Sequence, residues 1–476
     1  MKHLHFQIFT LAVFLLLIIP NLVQDGMFMD GVLYAAVAKN QAEGFGSFWQ
    51  PSFADTWNKH GVHTFHEHPP LVFGIQSLFF KIFGTSIYVE RFYSFLTAIL
   101  TAWLIHLNWK ILFQNQKELM KFSWLPILFW IIIPVCFWSF QNNMHENTMG
   151  IFTLLSTYFL LKFYFQKQQN TLLILAGSFI FLASFSKGVP GFFPLAFPFL
   201  IWVSHRKSTF VNVIHHTSLL GFSTFLFYAL LMLYEPANES LSFYFENRLM
   251  GRIDSDPTVG SRFYIVGRLF QELLPPLILG ALILIFSKLK PNVKTVKKRD
   301  LKNAGLFFLL GFAGTLPLLL TMVQKGFYMV HALPYFGIAI ALIVAPNLVF
   351  FFHKKTSTQN HNSTFTYFTF ALLISVLIFS TLQIGKTKRD ADMLHDVYIL
   401  KNILPKHTHI TLEKSIHQDW GLKVYLMRNS NLSTSNTVSY PYFLVEKKKK
   451  NFSLKGYKKM KTNLKKYEIL TVNNER

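Results

Sequence analysis

Residues 30–35 read Asp-Gly-Val-Leu-Tyr-Ala and follow directly on the first long apolar run of the chain. The segment that begins there extends to residues 66–71, His-Glu-His-Pro-Pro-Leu, and holds four acidic residues, seven aromatic residues and four histidines. An acidic residue just after a membrane span, followed by a polar and aromatic loop, suits a catalytic site that faces away from the cytoplasm. Each residue taken alone also fits a solvated loop, so the choice between a catalytic site and a solvated loop depends on where the other polar residues of the chain lie.

The composition is that of a membrane protein. Of 476 residues, 51% are hydrophobic and 17% aromatic, and only 14% are charged, which is outside the range of soluble domains. Several runs reach the roughly 20 apolar residues that cross a bilayer. In lipid such runs must be helical, because only a helix satisfies its own backbone groups. The sequence therefore predicts an all-α polytopic membrane protein.

Cysteine content and net charge narrow the function. The single cysteine, Cys136, lies in an apolar run and excludes an intrachain disulfide or a multi-cysteine metal site. The net charge is +23, but much of it lies in short loops between apolar runs, where Lys and Arg direct membrane topology. We therefore expect no nucleic-acid partner.

We predict about eleven transmembrane helices. The first apolar run is longer than the apolar part of a signal peptide, about 7–15 residues, and no small-x-small cleavage pattern follows it, so we interpret it as an uncleaved span. The apolar segment Leu71 to Phe83 is too short to span and predicts an interfacial helix. The predicted spans are 6–23, 90–110, 124–140, 148–165, 171–186, 189–204, 211–234, 263–287, 304–323, 329–352 and 364–384.

The charge of the loops predicts the orientation. With the N-terminus in the cytoplasm, the inward loops are all basic, as the positive-inside rule requires. These loops are 110–121, 162–169, 205–207, 288–302 and 353–355. Every short motif that could carry chemistry then falls on the opposite side. Its loops are 30–90, 141–147, 186–188, 235–262 and 324–328.

Two domains are predicted. Residues 1–385 form the transmembrane catalytic domain, whose outer loop 24–89 carries Asp30. Residues 386–476 contain no spanning run and predict a small, basic α/β domain outside the cytoplasm. Its lysine-rich stretches, 446–450 and 455–466, are either solvated faces or contacts to anionic lipid head groups or a polyanionic glycolipid.

The pattern at residues 30–35 resembles the first-loop Asp-x-x-x-Tyr-Ala signature of the GT-C membrane glycosyltransferases of the protein mannosyltransferase and aminoarabinose transferase group. The resemblance implies that Asp30 is catalytic, as a base or by orienting the acceptor, and that Tyr34 belongs to the pocket. An acceptor hydroxyl that attacks a sugar does need a carboxylate to take its proton. The alternative role for Asp30 is a helix N-cap.

Residues 66–71 are similar to the family's acidic-Lys-Pro-Pro segment, with His68 in place of the lysine. The resemblance makes Glu67 a candidate catalytic carboxylate and His68 a candidate phosphate ligand, although a neutral imidazole carries no charge. A divalent metal bound by His66, Glu67, His68 and His145 is the alternative.

Two further motifs match the family in order. Residues 144–147 stand where the family has its second acidic residue, which implies that Glu146 faces Asp30 across an outer cavity; a helix-initiating acid is the alternative. Ser186-Lys187-Gly188 resembles the family's Thr-Lys-Gly turn, and an ammonium there suits the phosphate of a lipid. Interfacial snorkelling is the alternative for Lys187.

The later motifs concern the donor phosphate. Residues 324–335 resemble the family's Lys-x-x-Tyr-x-x-x-x-x-Pro segment, which implies that Lys325 and Tyr328 bind phosphate rather than only anchor the interface. The loop 246–264 resembles an outer loop in which an arginine assists. Its candidates are Arg248, which we include in the predicted site, Arg252 and Arg262.

Two charge pairs are interpreted as structural. Glu90 and Arg91 lie at the head of the second span, where the family has an arginine, and a salt bridge is the favoured interpretation. Arg268 and Glu272 lie one helical turn apart and receive the same interpretation.

The resemblance covers residues 1–385 and predicts an inverting glycosyltransferase with the GT-C fold in a bacterial inner or plasma membrane. The implied donor is a polyprenyl-phosphate sugar, the acceptor a lipid, glycan or protein, and no cofactor is required. A transporter or lipid flippase is the alternative, since membrane-embedded charges also line permeation paths, although no internal repeat is visible. A membrane scaffold protein is a third possible function.

Overall fold

The computed structural model describes residues 3–59, 61–206, 208–252, 256–288, 298–354, 360–447 and 454–473. Several predicted basic segments fall partly outside this range, namely Lys207, residues 289–297, Lys355 and residues 448–453, as does the side chain of Arg252. The chain divides into two compact units. The larger unit is Met1–Asn21 with Ser94–Gln383, and the smaller is Leu22–Tyr93 with Ile384–Arg476.

Within the described residues, nine helices are long and apolar enough to cross a membrane. They confirm the predicted polytopic helical fold. Their bounds are Leu4–Leu22, Tyr88–Leu112, His145–Phe165, Asn170–Lys187, Phe210–Met232, Tyr264–Ser287, Arg299–Leu320, Gly326–Val349 and Thr364–Thr381.

The predicted span 124–140 is a bent pair of helices. Trp124–Ile131 and Pro134–Gln141 meet at an angle of 80°. Pro134 is the cause, since it lacks a backbone N–H and disfavours helical backbone at the residue before it; Ile133 is extended, with ψ 120°. If the pair counts as one span, the number rises to ten.

The predicted span 189–204 is a composite. A 3-10 helix, Val189–Ala196, leads into the α-helix Phe197–His205. Pro190, Pro194 and Pro198 remove backbone donors at regular intervals, which explains the 3-10 geometry. A 3-10 helix rises about 2.0 Å per residue and an α-helix about 1.5 Å, so the composite, if straight, is roughly 30 Å long, close to a bilayer core. These two places account for the difference from the predicted eleven spans.

The remaining elements of the larger unit are short or terminal. Four α-helices have bounds that differ from those of the corresponding spans given above. These helices are Tyr264–Lys288, Lys298–Thr315, Leu333–Lys354 and Asn360–Thr381. The short elements are the α-helices Lys117–Met120 and Glu235–Phe243, the π-helix Tyr244–Leu249, and the 3-10 helices Met250–Arg252, Leu316–Leu320 and Gly326–Ala332.

Small residues allow the helices to approach closely. A Cβ on Gly177 would lie 2.7 Å from the Leu220 carbonyl oxygen, and the Thr224 hydroxyl donates to the Gly177 carbonyl oxygen at 3.0 Å. Asn170–Lys187 and Phe210–Met232 thus approach each other closely at Gly177 and are joined there by a side-chain hydrogen bond, as membrane helices commonly are.

The first part of the smaller unit is more helical than the sequence suggests. The predicted loop begins with the helix Met29–Ala42, and the predicted interfacial helix is present as Leu71–Phe83. The N-cap of the first helix is Phe28, and Asp30 lies inside its first turn. The N-cap alternative for Asp30 is therefore wrong.

The C-terminal part of the smaller unit is the predicted α/β domain. Its helices are Ala391–Ile403, Lys414–His417 and Trp420–Ser430. Its strands are β1 His409–Leu412, β2 Ser433–Ser435, β3 Tyr442–Glu446, β4 Tyr457–Lys459 and β5 Tyr467–Val472. They form one sheet in the order β2-β1-β3-β5-β4, parallel between β1 and its two neighbours and antiparallel elsewhere.

Candidate functional site

In the larger unit, Glu146 and Lys187 form a buried ion pair. Glu146 begins the helix His145–Phe165 and Lys187 ends the next helix, Asn170–Lys187, so the first turn of one lies beside the last turn of the other. The carboxylate oxygen and the ammonium nitrogen are 3.4 Å apart, and the side chains are 2% and 8% exposed. Two of the predicted motifs are thus brought together.

The turn after Lys187 requires a glycine. Gly188 has φ +93°, a conformation that residues with a Cβ rarely adopt, and a Cβ here would meet the hydroxyl of Tyr244. Tyr244 begins the π-helix Tyr244–Leu249, which also carries Arg248. π-Helices are rare in proteins, and those that do occur are frequently found at functional sites. Tyr244 could not be singled out from the sequence, because nothing in its local pattern distinguishes it from the other aromatic residues of this loop.

Lys325 and Tyr328 lie around the 3-10 helix Gly326–Ala332. Lys325 is its N-cap residue and exposed, whereas Tyr328 is half-buried. The segment before it is anchored by Gln324, whose side-chain oxygen accepts from the Ile265 N–H at 2.9 Å and whose amide donates to the Leu318 carbonyl at 3.0 Å.

Arg268 lies against the same turn. Its Nε is 3.1 Å from the position of a Cβ on Gly326, and its guanidinium is 2.5 Å from the carboxylate of Glu272. The second oxygen of Glu272 accepts from the Val135 N–H at 2.7 Å, at the bend caused by Pro134. The structure therefore contains the expected Arg268–Glu272 pair and places its arginine beside the Lys325 motif, which the sequence analysis did not foresee.

In the smaller unit, Asp30 is half-buried in the first turn of its helix, where the positive end of the helix dipole favours a carboxylate. Tyr34 follows one turn later. Its hydroxyl lies 3.2 Å from Nε2 of His68. The structure thus joins the tyrosine of the first motif to the histidine that replaces the family's lysine.

Glu67 pairs with a lysine that the sequence analysis missed. Its carboxylate lies 2.6 Å from the Lys59 ammonium, and the two side chains are 15% and 40% exposed. Beside it, burial lowers the pKa of His66 to about 4, so that imidazole is neutral at pH 7. Across the described residues, no group of three or more histidine, cysteine, aspartate and glutamate side chains is arranged to hold a metal ion. Metal binding by His66, Glu67, His68 and His145 stays a prediction without structural support.

Glu90 and Arg91 are buried and 3.7 Å apart, and each has a closer partner. Arg428 lies 2.7 Å from Glu90, and Asp25 lies 3.2 Å from Arg91. The sequence could not identify these partners, because they come from other parts of the chain.

A buried lysine, Lys39, was also missed. It is 4% exposed, and its ammonium donates to the Arg428 carbonyl at 2.9 Å and to the Asn431 side-chain oxygen. Burial, assisted by the nearby Arg428 charge, lowers its pKa from 10.5 to about 8.

Comparison with known proteins shows which fold and which family the chain resembles. Residues 67–232 match the family model described as dolichyl-phosphate-mannose-protein mannosyltransferase. The structure is similar to the crystal structure of ArnT from Cupriavidus metallidurans bound to undecaprenyl phosphate, with 12% identity, a TM-score of 0.62 and 98% of each chain covered. It is also similar to the same protein in the apo state, with 13% identity, a TM-score of 0.55 and 87% and 82% covered. No curated protein matches the sequence.

The chain therefore has the fold of the GT-C membrane glycosyltransferases. Within that class, the resemblance to the protein mannosyltransferase and aminoarabinose transferase group is confirmed. The matched region includes Glu67, His68, Glu146 and Lys187. Asp30, Lys325, Tyr328 and Arg248 lie outside it, and the individual roles of all these residues stay predictions.

Proposed function

We propose that the protein is an inverting glycosyltransferase that moves a sugar from a polyprenyl-phosphate donor to a lipid, glycan or protein acceptor at the outer face of the membrane. The observation that carries the proposal is the Glu146–Lys187 pair, a cation and a carboxylate buried at adjoining helix ends inside the region that matches the mannosyltransferase family model. The similar ArnT structure is bound to undecaprenyl phosphate, which supports a donor of this class.

On the acceptor side, Asp30 takes the proton of the acceptor group or orients it. The acceptor atom then attacks the anomeric carbon, the bond from that carbon to the phosphate oxygen breaks, and the configuration inverts. Asp30 is half-buried in the first turn of its helix, where the positive end of the helix dipole favours a carboxylate, the group that a general base requires. Glu67 and Glu146 are the other two candidate catalytic carboxylates.

On the donor side, Lys187, Lys325, Tyr328 and a loop arginine such as Arg248 stabilise the leaving polyprenyl phosphate. Stabilising a charge that develops in the transition state is usually the largest electrostatic contribution to catalysis. The Glu146 carboxylate, 3.4 Å away, holds the Lys187 ammonium in position. The Tyr34–His68 contact, at 3.2 Å, offers a hydrogen-bonding pair where the family has a lysine.

The test is a transfer assay with purified protein in lipid nanodiscs and labelled polyprenyl-phosphate sugars. We expect release of free polyprenyl phosphate, and at least a hundredfold loss of rate in Asp30→Asn, in line with the loss of a general base. Asp55→Asn is the matched control, because Asp55 is an exposed carboxylate of the same segment, 3.5 Å from His409. Full activity of Asp30→Asn would contradict the assigned role.

The same assay separates the alternatives. A flippase moves the labelled lipid between leaflets without cleaving it, and a scaffold does neither. Loss of sugar transfer in the presence of EDTA would show that the reaction requires a divalent metal ion. Mass spectrometry of envelope lipids and glycoproteins, with and without the protein, identifies the acceptor.

A further inference from the structure

Two buried cations of the smaller unit are not among the residues assigned to the proposed reaction. Lys39 lies in the same helix as Asp30 and is 4% exposed, and Arg428, from the C-terminal segment, is 2% exposed. Burying a charge is costly unless it is paired and hydrogen-bonded, so the contacts of these two side chains indicate what they hold in place.

Arg428 fixes the C-terminal helix Trp420–Ser430 to the start of the helix Tyr88–Leu112. Its guanidinium lies 2.7 Å from the Glu90 carboxylate and donates to the backbone carbonyls of Thr85 at 3.1 Å and Ser86 at 2.9 Å. One planar cation thus binds three acceptors at the head of that helix, an arrangement that a lysine could not reproduce.

Lys39 fixes the far end of the Asp30 helix to the same C-terminal segment. Its ammonium donates to the Arg428 carbonyl at 2.9 Å and to the side-chain oxygen of Asn431. The Asn431 amide in turn donates to the Glu43 carboxylate at 3.1 Å. The last turn of the helix Met29–Ala42 is therefore held by three polar contacts.

The near end of the Asp30 helix is held as well. The Tyr425 hydroxyl accepts from the Met27 N–H at 2.9 Å and donates to the Met27 carbonyl at 2.8 Å. The Asp25 N–H donates to the Lys386 carbonyl at 2.8 Å, and the Tyr398 hydroxyl donates to the Asp25 carboxylate at 2.5 Å. Asp30 lies between these two sets of contacts.

We propose that Arg428 and Lys39 are positioning residues, through which the C-terminal segment holds the Met29–Ala42 helix and fixes the Asp30 carboxylate for its part in the transfer reaction. The inference rests on the proposed function. A displacement of about 1 Å at a reacting group can cost about a hundredfold in rate, so a tether at both ends of this helix has a direct kinetic consequence.

The experiment compares Arg428→Gln and Lys39→Gln with the wild type in nanodiscs. We expect kcat for sugar transfer to fall at least tenfold in each variant, with KM for the polyprenyl-phosphate sugar within twofold. Lys423→Gln is the matched control, because Lys423 lies in the same C-terminal helix but stacks on Trp420, 4.5 Å from the ring centre. It should retain the wild-type kcat.

Hydrogen–deuterium exchange provides a readout that does not depend on activity. In both variants the amides of residues 29–42 should exchange faster, while those of strand β1 and of residues 145–187 keep their protection, which distinguishes a released helix from general unfolding. If Arg428→Gln does not accumulate in membranes, the comparison is made with Lys39→Gln alone, because this variant leaves the Glu90–Arg428 pair intact.

The outcomes separate the inference from the proposed function. Wild-type transfer together with unchanged kcat in both variants overturns the positioning role and leaves the glycosyltransferase proposal standing. Unchanged exchange in residues 29–42 overturns the tether itself. A wild type that transfers no sugar from any polyprenyl-phosphate donor overturns the proposed function and the positioning role with it.

Discussion

The Glu146–Lys187 pair shows how two short motifs become one feature. Each residue has an ordinary interpretation from the sequence, as a helix-initiating acid and as a snorkelling lysine. In the structure they are 3.4 Å apart and almost wholly buried. Neither ordinary role requires burial, so the pair demands a structural or catalytic explanation.

A prediction follows for the stability of this pair. Lys187→Met and Glu146→Gln should each lower the free energy of unfolding by about 3–5 kcal/mol, because each removes one partner of a buried ion pair. The double variant should lose less than the sum of the two. Denaturant unfolding in detergent, followed by circular dichroism, measures these differences.

The control is the Glu118–Lys121 pair, which is 2.8 Å apart but about half exposed, at 47% and 50%. Lys121→Met should change the free energy of unfolding by less than about 1 kcal/mol. Equal effects at the two sites would show that burial does not govern the energetics of Glu146 and Lys187.

The motif residues could be singled out from the sequence, but their partners could not. Tyr34 and His68 were singled out separately, and only the structure shows their 3.2 Å contact. Lys39 could not be singled out at all, because its acceptor on Arg428 is 389 positions away and a lone lysine in a mixed segment predicts a solvated side chain.

At the level of helices, prolines and glycines explain where the structure departs from the predicted spans. Hydropathy alone predicts one straight helix over 124–140 and another over 189–204. Pro134 and the prolines of Val189–Ala196 were visible in the sequence, yet a membrane helix tolerates proline often enough that neither break could be assigned from it. The Leu71–Phe83 helix, which contains no proline, was predicted with its bounds.

The close approach at Gly177 gives a prediction for helix packing. Gly177→Ala should lower the free energy of unfolding by about 1–3 kcal/mol, because the added methyl meets the Ser223 side chain and the Leu220 carbonyl and forces the two helices apart. The thermal unfolding midpoint in detergent is the measurement.

Gly221→Ala is the matched comparison. Gly221 lies in the partner helix Phe210–Met232, and a Cβ there has no neighbour within 4 Å. This variant should be neutral or slightly stabilising, since alanine favours helix over glycine. If Gly221→Ala lowered the free energy of unfolding as much as Gly177→Ala, close helix packing at Gly177 would not explain the effect.

For the whole chain, loop charge predicts the sidedness of the membrane protein. We expect the loop 110–121 in the cytoplasm and the C-terminal segment outside. Single cysteines at Lys117 and Lys406, which are both exposed, allow a direct test, with the buried Cys136 changed to serine. In right-side-out vesicles, a membrane-impermeant maleimide should label Lys406→Cys and spare Lys117→Cys until the membrane is permeabilised. The reverse pattern would invert the topology and remove the outer-face location of the proposed reaction.

The smaller unit is assembled from two segments that are far apart in the sequence, Leu22–Tyr93 and Ile384–Arg476. The ribosome makes the first piece early and the second last, and at about 5–20 residues per second the interval is on the order of tens of seconds. During that time the helix Met29–Ala42 can already pack on Leu71–Phe83 through Ala35, Ala38 and Phe80, but it lacks its contacts to Arg428 and Tyr425. A premature stop codon late in the gene would therefore leave Asp30, which is encoded near its beginning, on a helix without these contacts.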